Sequence, residues 1–401
     1  MKTKKTELPG RSRMENVKGR GKRGLVRIVF GRTTFFILFT ALQIAVLLWI
    51  YLWLDDKYQA YGYGAFGLVS AALAVRILNE KQNASFKMAW LVVVLLFPVF
   101  GGLFYVFIQL QMETKIVARR ISDIQSRTGF YLAQDESVYG NLQKKSKSNA
   151  NLSRYLSQSV GFPVYDQTSF QYFPLGDDFF PDLLKELLGA EKFIFLEYFI
   201  IQPGVMWNSV LAILESKAKA GVDVRVLYDG MNSFSNLPHD YPKELEKKGI
   251  SCRIFNPIRP AVSTSQNNRD HRKILVIDGH TAYTGGVNLA DEYINRKVRF
   301  GHWKDNAIRL KGDAVRSFTV MFLQMWCVCT AKPEHDYDFG RFLETAPPPD
   351  GQVLKAGGFA VPFSDSPLDG EPVSHQIYLD MIYQAKQYIY IMTPYLVLDD
   401  D

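Results

Sequence analysis

The rhythm of hydrophobic and polar positions changes twice along the chain. From Thr33 to Leu54, "TTFFILFTALQIAVLLWIYLWL" runs without a charge. As a helix it would span roughly 30 Å, the thickness of a hydrocarbon core. Residues 58–75, "YQAYGYGAFGLVSAALAV", are weaker but also uncharged; residues 88–112, "MAWLVVVLLFPVFGGLFYVFIQLQM", are long and apolar and contain Pro98, Gly101 and Gly102. The pattern predicts transmembrane helices over about 33–54, 58–75 and 88–112, with a re-entrant hairpin as the alternative for the third. The first is too long for a signal peptide and lacks a convincing cleavage site.

Residues 113–160 are polar and weakly patterned, with "QKKSKSNANLS" reading as an exposed linker. From there helical and strand periods alternate. "FFPDLLKELLGA", "NSVLAILESKAKAG" and "DYPKELEKKG" have helical spacing, whereas "KFIFLEYFI", "VDVRVLYDG" and "SCRIFNPI" are short β-rich runs. That alternation predicts an α/β sheet covered on both faces. A weak repeat links "LLKELLGAEKFIFLEYFII" to "YLDMIYQAKQYIYIMTPYLV", placing Glu197 opposite Thr393. The chain therefore reads as one complete α/β unit over 161–345 and the first helix and strand of a second over 346–401.

Charge changes this picture only at one end. The net charge is +7, but residues 1–32 hold eleven Lys or Arg against two Glu, so the remainder sums to −2. The basicity belongs to a tail, placed in the cytoplasm by the positive-inside rule, and the main unit carries no global nucleic-acid footprint. Cys252, Cys327 and Cys329 give no disulfide framework, and the C-x-C of "WCVCT" has no further ligands beside it. They read as packed thiols.

The candidate chemistry lies in "RDHRKILVIDGHTAYTGGVN", residues 269–288. On a strand His271 and Lys273 project to one side, and Arg272 and Asp278 to the other. A neutral imidazole can attack phosphorus, and an ammonium can hold a nonbridging phosphate oxygen. Asp278 with Gly279 is also a hairpin-turn signal, so Asp278 shapes the site more than it touches a reacting atom. The backbone of "TGGVN" brings Asn288 close as a neutral donor. The residues alone leave two readings, a metal-free phosphodiester site or a buried strand with a polar start and a tight turn. The remaining histidines, His239, His280, His302, His335 and His375, have no comparable company.

H-x-K-x-x-x-x-D followed by G-G-x-N resembles the signature of the phospholipase D superfamily. "FKMAWLVVVLLFPVFGGLFY", "FLEYFI", "VDVRVLYDG", "RDHRK", "TGGVNLADEY", "FGHWKDNAIRLKG" and "IMTPYLVLDD" are similar, in order, to segments of bacterial cardiolipin synthases. The resemblance runs from about residue 34 to the end. It implies an N-terminal membrane region followed by a phospholipase D-type α/β/α domain, in a multi-pass protein of the bacterial cell membrane. It also implies a phosphatidyltransferase that joins two phosphatidylglycerols into cardiolipin and glycerol, without cofactor or metal. His271 would be the nucleophile, Lys273 and Asp278 its catalytic companions, Asn288 and Gly286 phosphate-binding, and Asp305 the carboxylate that orients the histidine. Implied partners are phosphatidylglycerol, cardiolipin and the bilayer, with no nucleic acid.

Two departures stand out. Met325 occupies a position that is often acidic in the family. The family also carries two such motifs, and the equivalent second histidine would fall about 74 residues after Thr393, outside these 401 residues. The expectation is thus half a site, completed by a C-terminal half or a second copy. A lipid hydrolase and a non-catalytic lipid-binding or pairing protein are the alternatives.

Overall fold

A computed structural model describes residues 32–53, 55–80, 84–110, 112–258, 268–330, 338–344, 358–368 and 370–395. The basic tail, except for Arg32, and the terminal "LDDD" lie outside the described residues. The chain divides into a helical unit ending at Met112 and a larger unit beginning at Glu113.

In the first unit, helices run over Arg32–Trp53, Asp56–Asn79, Ala84–Leu96 and Phe100–Leu110. Among the described residues, one stretch, Tyr58–Asn79, is long and apolar enough to cross a membrane. Of the two readings for 88–112, the structure has the hairpin: two short helices folded back on each other, with Trp90 5.4 Å from Tyr105 between ring centroids. Pro98 has no N–H for a continuous ladder. Gly101 permits the close return: a Cβ there would lie 2.3 Å from the Val93 carbonyl oxygen. Ile77, Val94 and Tyr105 form the small core of this unit.

The expected linker over 113–160 is helical instead. Helices occupy Met112–Thr128, Glu136–Lys145 and Lys147–Ser159. Asp135 and Ser146 accept from the backbone N–H groups of Ser137 and Asn149, capping the second and third. Tyr139, Leu142, Ala150 and Leu156 are buried. These helices of about three to five turns are amphipathic but polar overall, so their few apolar residues do not stand out as core-forming segments.

The larger unit is built on a seven-stranded sheet of order β1-β7-β6-β5-β2-β3-β4. The strands are β1 Thr168–Phe173, β2 Phe193–Tyr198, β3 Asp223–Asp229, β4 Ser251–Phe255, β5 Lys273–Ile277, β6 Thr281–Gly285 and β7 Ala307–Gly312. β2, β3 and β4 run parallel, joined through helices Val205–Lys219 and Tyr241–Glu246. β5 lies antiparallel to β2, with Glu197 opposite Ile274 and Tyr198 opposite Lys273.

Every residue of β2 is buried. Ile194, Leu196 and Tyr198 enter a core with Trp207, Val210 and Leu183 on one face; Phe193 and Phe195 enter a core with Phe322, Met321 and Phe342 on the other. This two-sided cover is why the β2 sequence is apolar at every position but Glu197 and not alternating. The segment "YIYIMTPY", expected as the first strand of a second unit, makes no strand: residues 385–395 form no helix or strand, and Tyr388, Tyr390, Met392 and Tyr395 are exposed.

Candidate active site

β5 and the four residues before it position the candidate groups. Lys273 opens the strand and is 6 % exposed, while His271 precedes it. The Lys273 Nζ donates to the His271 carbonyl oxygen at 2.6 Å. Both lie against the Phe199 ring, the His271 ring at 4.8 Å and the ammonium at 5.6 Å from its centroid. They face a cavity of about 1030 Å³ whose walls also include Asn288, Trp303, Asp305 and Tyr395. A second cavity of about 830 Å³ also has His271 and Arg272 in its lining, together with Asp270 and Met325.

Burial sets the protonation of the pair. Desolvation, and then the Lys273 charge, hold the His271 imidazole below its ordinary 6.5, against the opposing pull of Asp270. Desolvation also brings Lys273 down to about 8, although Asp270 and Asp305 favour its charged form. At neutral pH the site therefore holds a neutral imidazole, able to act as a nucleophile, beside a mostly charged ammonium.

Asn288 is 3 % exposed and fixed by both ends of its amide. Its Oδ1 accepts from the Ile200 N–H at 2.9 Å, and its Nδ2 donates to the Tyr293 hydroxyl at 2.8 Å. One amide proton remains to face the cavity. Gly286 does not match the expected phosphate contact, because its N–H already donates to the Asn306 carbonyl at 3.0 Å. The double glycine answers a packing demand: a Cβ on Gly286 would meet Asp305 Oδ1 at 1.9 Å, and one on Gly285 would meet the Asn306 carbonyl oxygen at 2.4 Å.

Asp305 shares the cavity, yet no hydrogen bond joins it to His271 among the described residues. Its Oδ1 accepts from the Asn306 N–H at 2.9 Å, and its charge acts on Lys273. The neighbour of the His271 ring here is Phe199.

Asp278 sits where the hairpin-turn reading puts it and not at the catalytic place that the family resemblance implies. It sits in the turn at the far end of β5, with φ +51°. Its carboxylate accepts three backbone N–H groups, from Glu191, Lys192 and Phe193, each at 2.7 Å. It lies five residues beyond Lys273 and seven beyond His271, roughly 16 Å and 23 Å along the chain at about 3.3 Å per residue. It ties the β5–β6 turn to the start of β2.

A buried charge network behind the histidine went unread in the sequence. Glu197 is fully buried on β2, and Arg272 Nη2 approaches its Oε1 at 2.7 Å while Arg272 Nε donates to Asp270 Oδ1 at 3.2 Å. The Asp270 N–H donates to Asp229 Oδ2 at 2.9 Å, and Arg269 donates to the Asn256 carbonyl at 2.8 Å and pairs with Asp229 at 3.4 Å. Burial pushes Glu197 above the usual carboxylate range, partly offset by Arg272, and raises Asp229 to about 6. Residues 269, 270 and 272 are thus all anchored by the network, which fixes the chain on both sides of His271. A lone carboxylate inside the apolar run "FIFLEYFI" was the available signal, because such a charge is buried only with a partner.

Free thiols remain at Cys252, Cys327 and Cys329, and no three His, Cys, Asp or Glu side chains among the described residues could hold a metal.

Two family profiles match the sequence. The one described as "Cardiolipin synthase, PLD-like domain" covers residues 183–326, and "Phospholipase_D-nuclease N-terminal" covers 68–109. An uncharacterized protein of Streptococcus mutans is 46% identical over 325 residues, 81% of this chain and 69% of its own length. A cardiolipin synthase of Alkalihalophilus pseudofirmus is 31% identical over 342 residues, 84% of this chain and 66% of its own length. One of Staphylococcus aureus is 31% identical over 346 residues, 84% of this chain and 68% of its own length. The chain thus spans about two thirds of the length of these relatives.

Proposed function

The chain belongs to the cardiolipin synthase family, a family of phosphatidyltransferases, and from that premise we propose that His271 takes a phosphatidyl group from phosphatidylglycerol and passes it to a second one. One observation carries this reading: a neutral imidazole and a buried ammonium stand on one wall of a single cavity, with the Asn288 amide beside them.

In the first step the imidazole attacks phosphorus. A nitrogen–phosphorus bond forms, the bond to the glycerol oxygen breaks, and glycerol leaves with a proton. The Lys273 ammonium and the free Asn288 N–H meet the charge that builds on the nonbridging oxygens. In the second step a hydroxyl of another phosphatidylglycerol attacks the phosphatidyl-histidine and gives up its proton, forming cardiolipin and freeing His271. Both steps need an acid–base group besides the nucleophile, typically worth about 10²–10⁴-fold. The 401 residues contain one H-x-K-x-x-x-x-D, so we assign that group to a complementing half or a second copy carrying another. No metal or cofactor enters this scheme. Asp278 acts through the fold, and Asp305 through the charge state of Lys273.

The apolar N-terminal helices support a multi-pass protein of the bacterial membrane, where both substrates reside. Full-length protein reconstituted with labelled phosphatidylglycerol tests the scheme. It should form an acid-labile lipid adduct that disappears in His271→Ala, and it should release cardiolipin. Phosphatidic acid as the sole product would make the protein a hydrolase, and an adduct persisting in the alanine variant would remove His271 as nucleophile.

A further inference from the structure

The loop between Asn295 and Trp303 carries an unusual surface. Its sequence, "NRKVRFGHWK" from Asn295 to Lys304, contains four Lys or Arg and no acidic residue. Two large apolar side chains stand at its tip, Val298 and Phe300, each 81% exposed. Soluble surfaces scatter such residues singly; two at one tip, ringed by cations, mark a contact with something both apolar and anionic.

The loop is held out by a rigid base. Asn295 adopts a left-handed conformation with φ +53°. Its Oδ1 accepts from the Trp303 N–H at 2.7 Å and its Nδ2 donates to the Trp303 carbonyl at 3.1 Å, so one side chain staples both ends of the loop. Below the staple, the Trp303 ring packs on Tyr293 at 5.0 Å, and Tyr293 in turn receives the Asn288 amide. Arg299 is anchored to the buried Glu292 at 3.1 Å. Arg296, Lys297 and Lys304 have no ion-pair partner among the described residues. Phe300, Trp303 and Lys304 also border the cavity that holds His271.

We propose that this loop docks on an anionic phospholipid surface, with Val298 and Phe300 entering the acyl boundary and Arg296, Lys297 and Lys304 meeting the head groups, so that the cavity mouth opens onto lipid. The purpose of the contact rests on the phosphatidyl-transfer reading; its geometry does not. A basic side chain near an anionic leaflet shifts the docked population about fivefold, and three together about 100-fold.

The test places a nitroxide on the full chain through Phe300→Cys, with Cys252, Cys327 and Cys329 changed to alanine, in two kinds of nanodisc. One is equimolar dioleoylphosphatidylglycerol and dioleoylphosphatidylcholine; the other is pure dioleoylphosphatidylcholine. In the anionic discs the label should be reached by oxygen and protected from an aqueous nickel chelate, and in the neutral discs it should be reached by the chelate. Arg296→Gln/Lys297→Gln/Lys304→Gln should return the label to water even in anionic discs. A label in water in both discs overturns the proposal, as does one inserted equally in both. A label shielded from both reagents also overturns it, since protein would then cover the loop. The readout needs no turnover: an active protein with an aqueous label refutes the docking alone, and a protein supplied with its complementing half that is inactive despite an inserted label refutes the transfer chemistry alone.

Discussion

Lys273 is a charge kept at a loss of stability, and Lys273→Met should expose that cost. The ammonium ionises at about 8 in the fold against an ordinary 10.5. That gap of about 2.5 pH units, at about 1.36 kcal/mol each, makes the charged form about 3 kcal/mol costlier to hold folded than unfolded at pH 7. Methionine keeps the apolar stem and removes the charge. It also removes the 2.6 Å bond to the His271 carbonyl, a charged hydrogen bond worth about 1.5–3 kcal/mol.

The net gain at pH 7 is therefore small, up to about 1.5 kcal/mol, or roughly 3 °C in Tm for a unit of this size. The pH dependence is the sharper signature. The depressed pKa means that the unfolded chain binds more protons than the folded one between pH 8 and 10.5, so the wild type gains stability as pH rises through that window. The methionine variant lacks this increment. Thermal unfolding of the two proteins in the same detergent, from pH 7 to 10.5, should show the wild type gaining about 3 kcal/mol relative to the variant. A difference that stays flat across the window would refute the assignment of Lys273 as a desolvated ammonium. Adduct formation should be lost in the variant at every pH.

Adduct formation in the wild type should follow a bell, with the acid limb below pH 6.5 as His271 loses its proton and the alkaline limb near 8 as Lys273 does; a limb at 8 that persists in Lys273→Arg would belong to another group. Arg272→Met leaves Glu197 and Asp270 buried without their cation and should cost about 3–5 kcal/mol, while adding Glu197→Leu should recover part of it; additive losses in thermal unfolding would mean that the pair is not coupled. Asp278→Ala strands three backbone donors and should lower stability by about 2–4 kcal/mol, yet still allow adduct formation at low temperature; a folded variant without adduct would return Asp278 to the chemistry. Turnover of the completed enzyme should survive EDTA, because Lys273 and Asn288 supply the electrophilic contacts, and restoration by one divalent ion would contradict those roles.

Local pattern was enough for the elements that define the sheet's parallel half. β2, β3 and β4 coincide with the apolar runs "FIFLEY", "DVRVLYD" and "SCRIF", and the helices before and between them with amphipathic periods. The joint placement of His271 and Lys273 at one cavity also follows from sequence, because alternation along an extended chain is a property of the backbone. Contacts made across the chain were not legible. The turn at Asp278 was legible from Asp-Gly, but the three backbone partners that fix it lie 85 to 87 residues earlier. Glu197 shows only as an oddity in an apolar run until Arg272, on the neighbouring strand's approach, completes it. The helices of 113–159 hide because they are polar overall despite an amphipathic period, and "YIYIMTPY" has the β-rich composition of a strand without a ladder partner among the described residues. Sequence determined which residues could form strands and which could do chemistry. Tertiary structure decided which charges are buried together, since desolvation and pairing depend on neighbours that the chain brings in from far away.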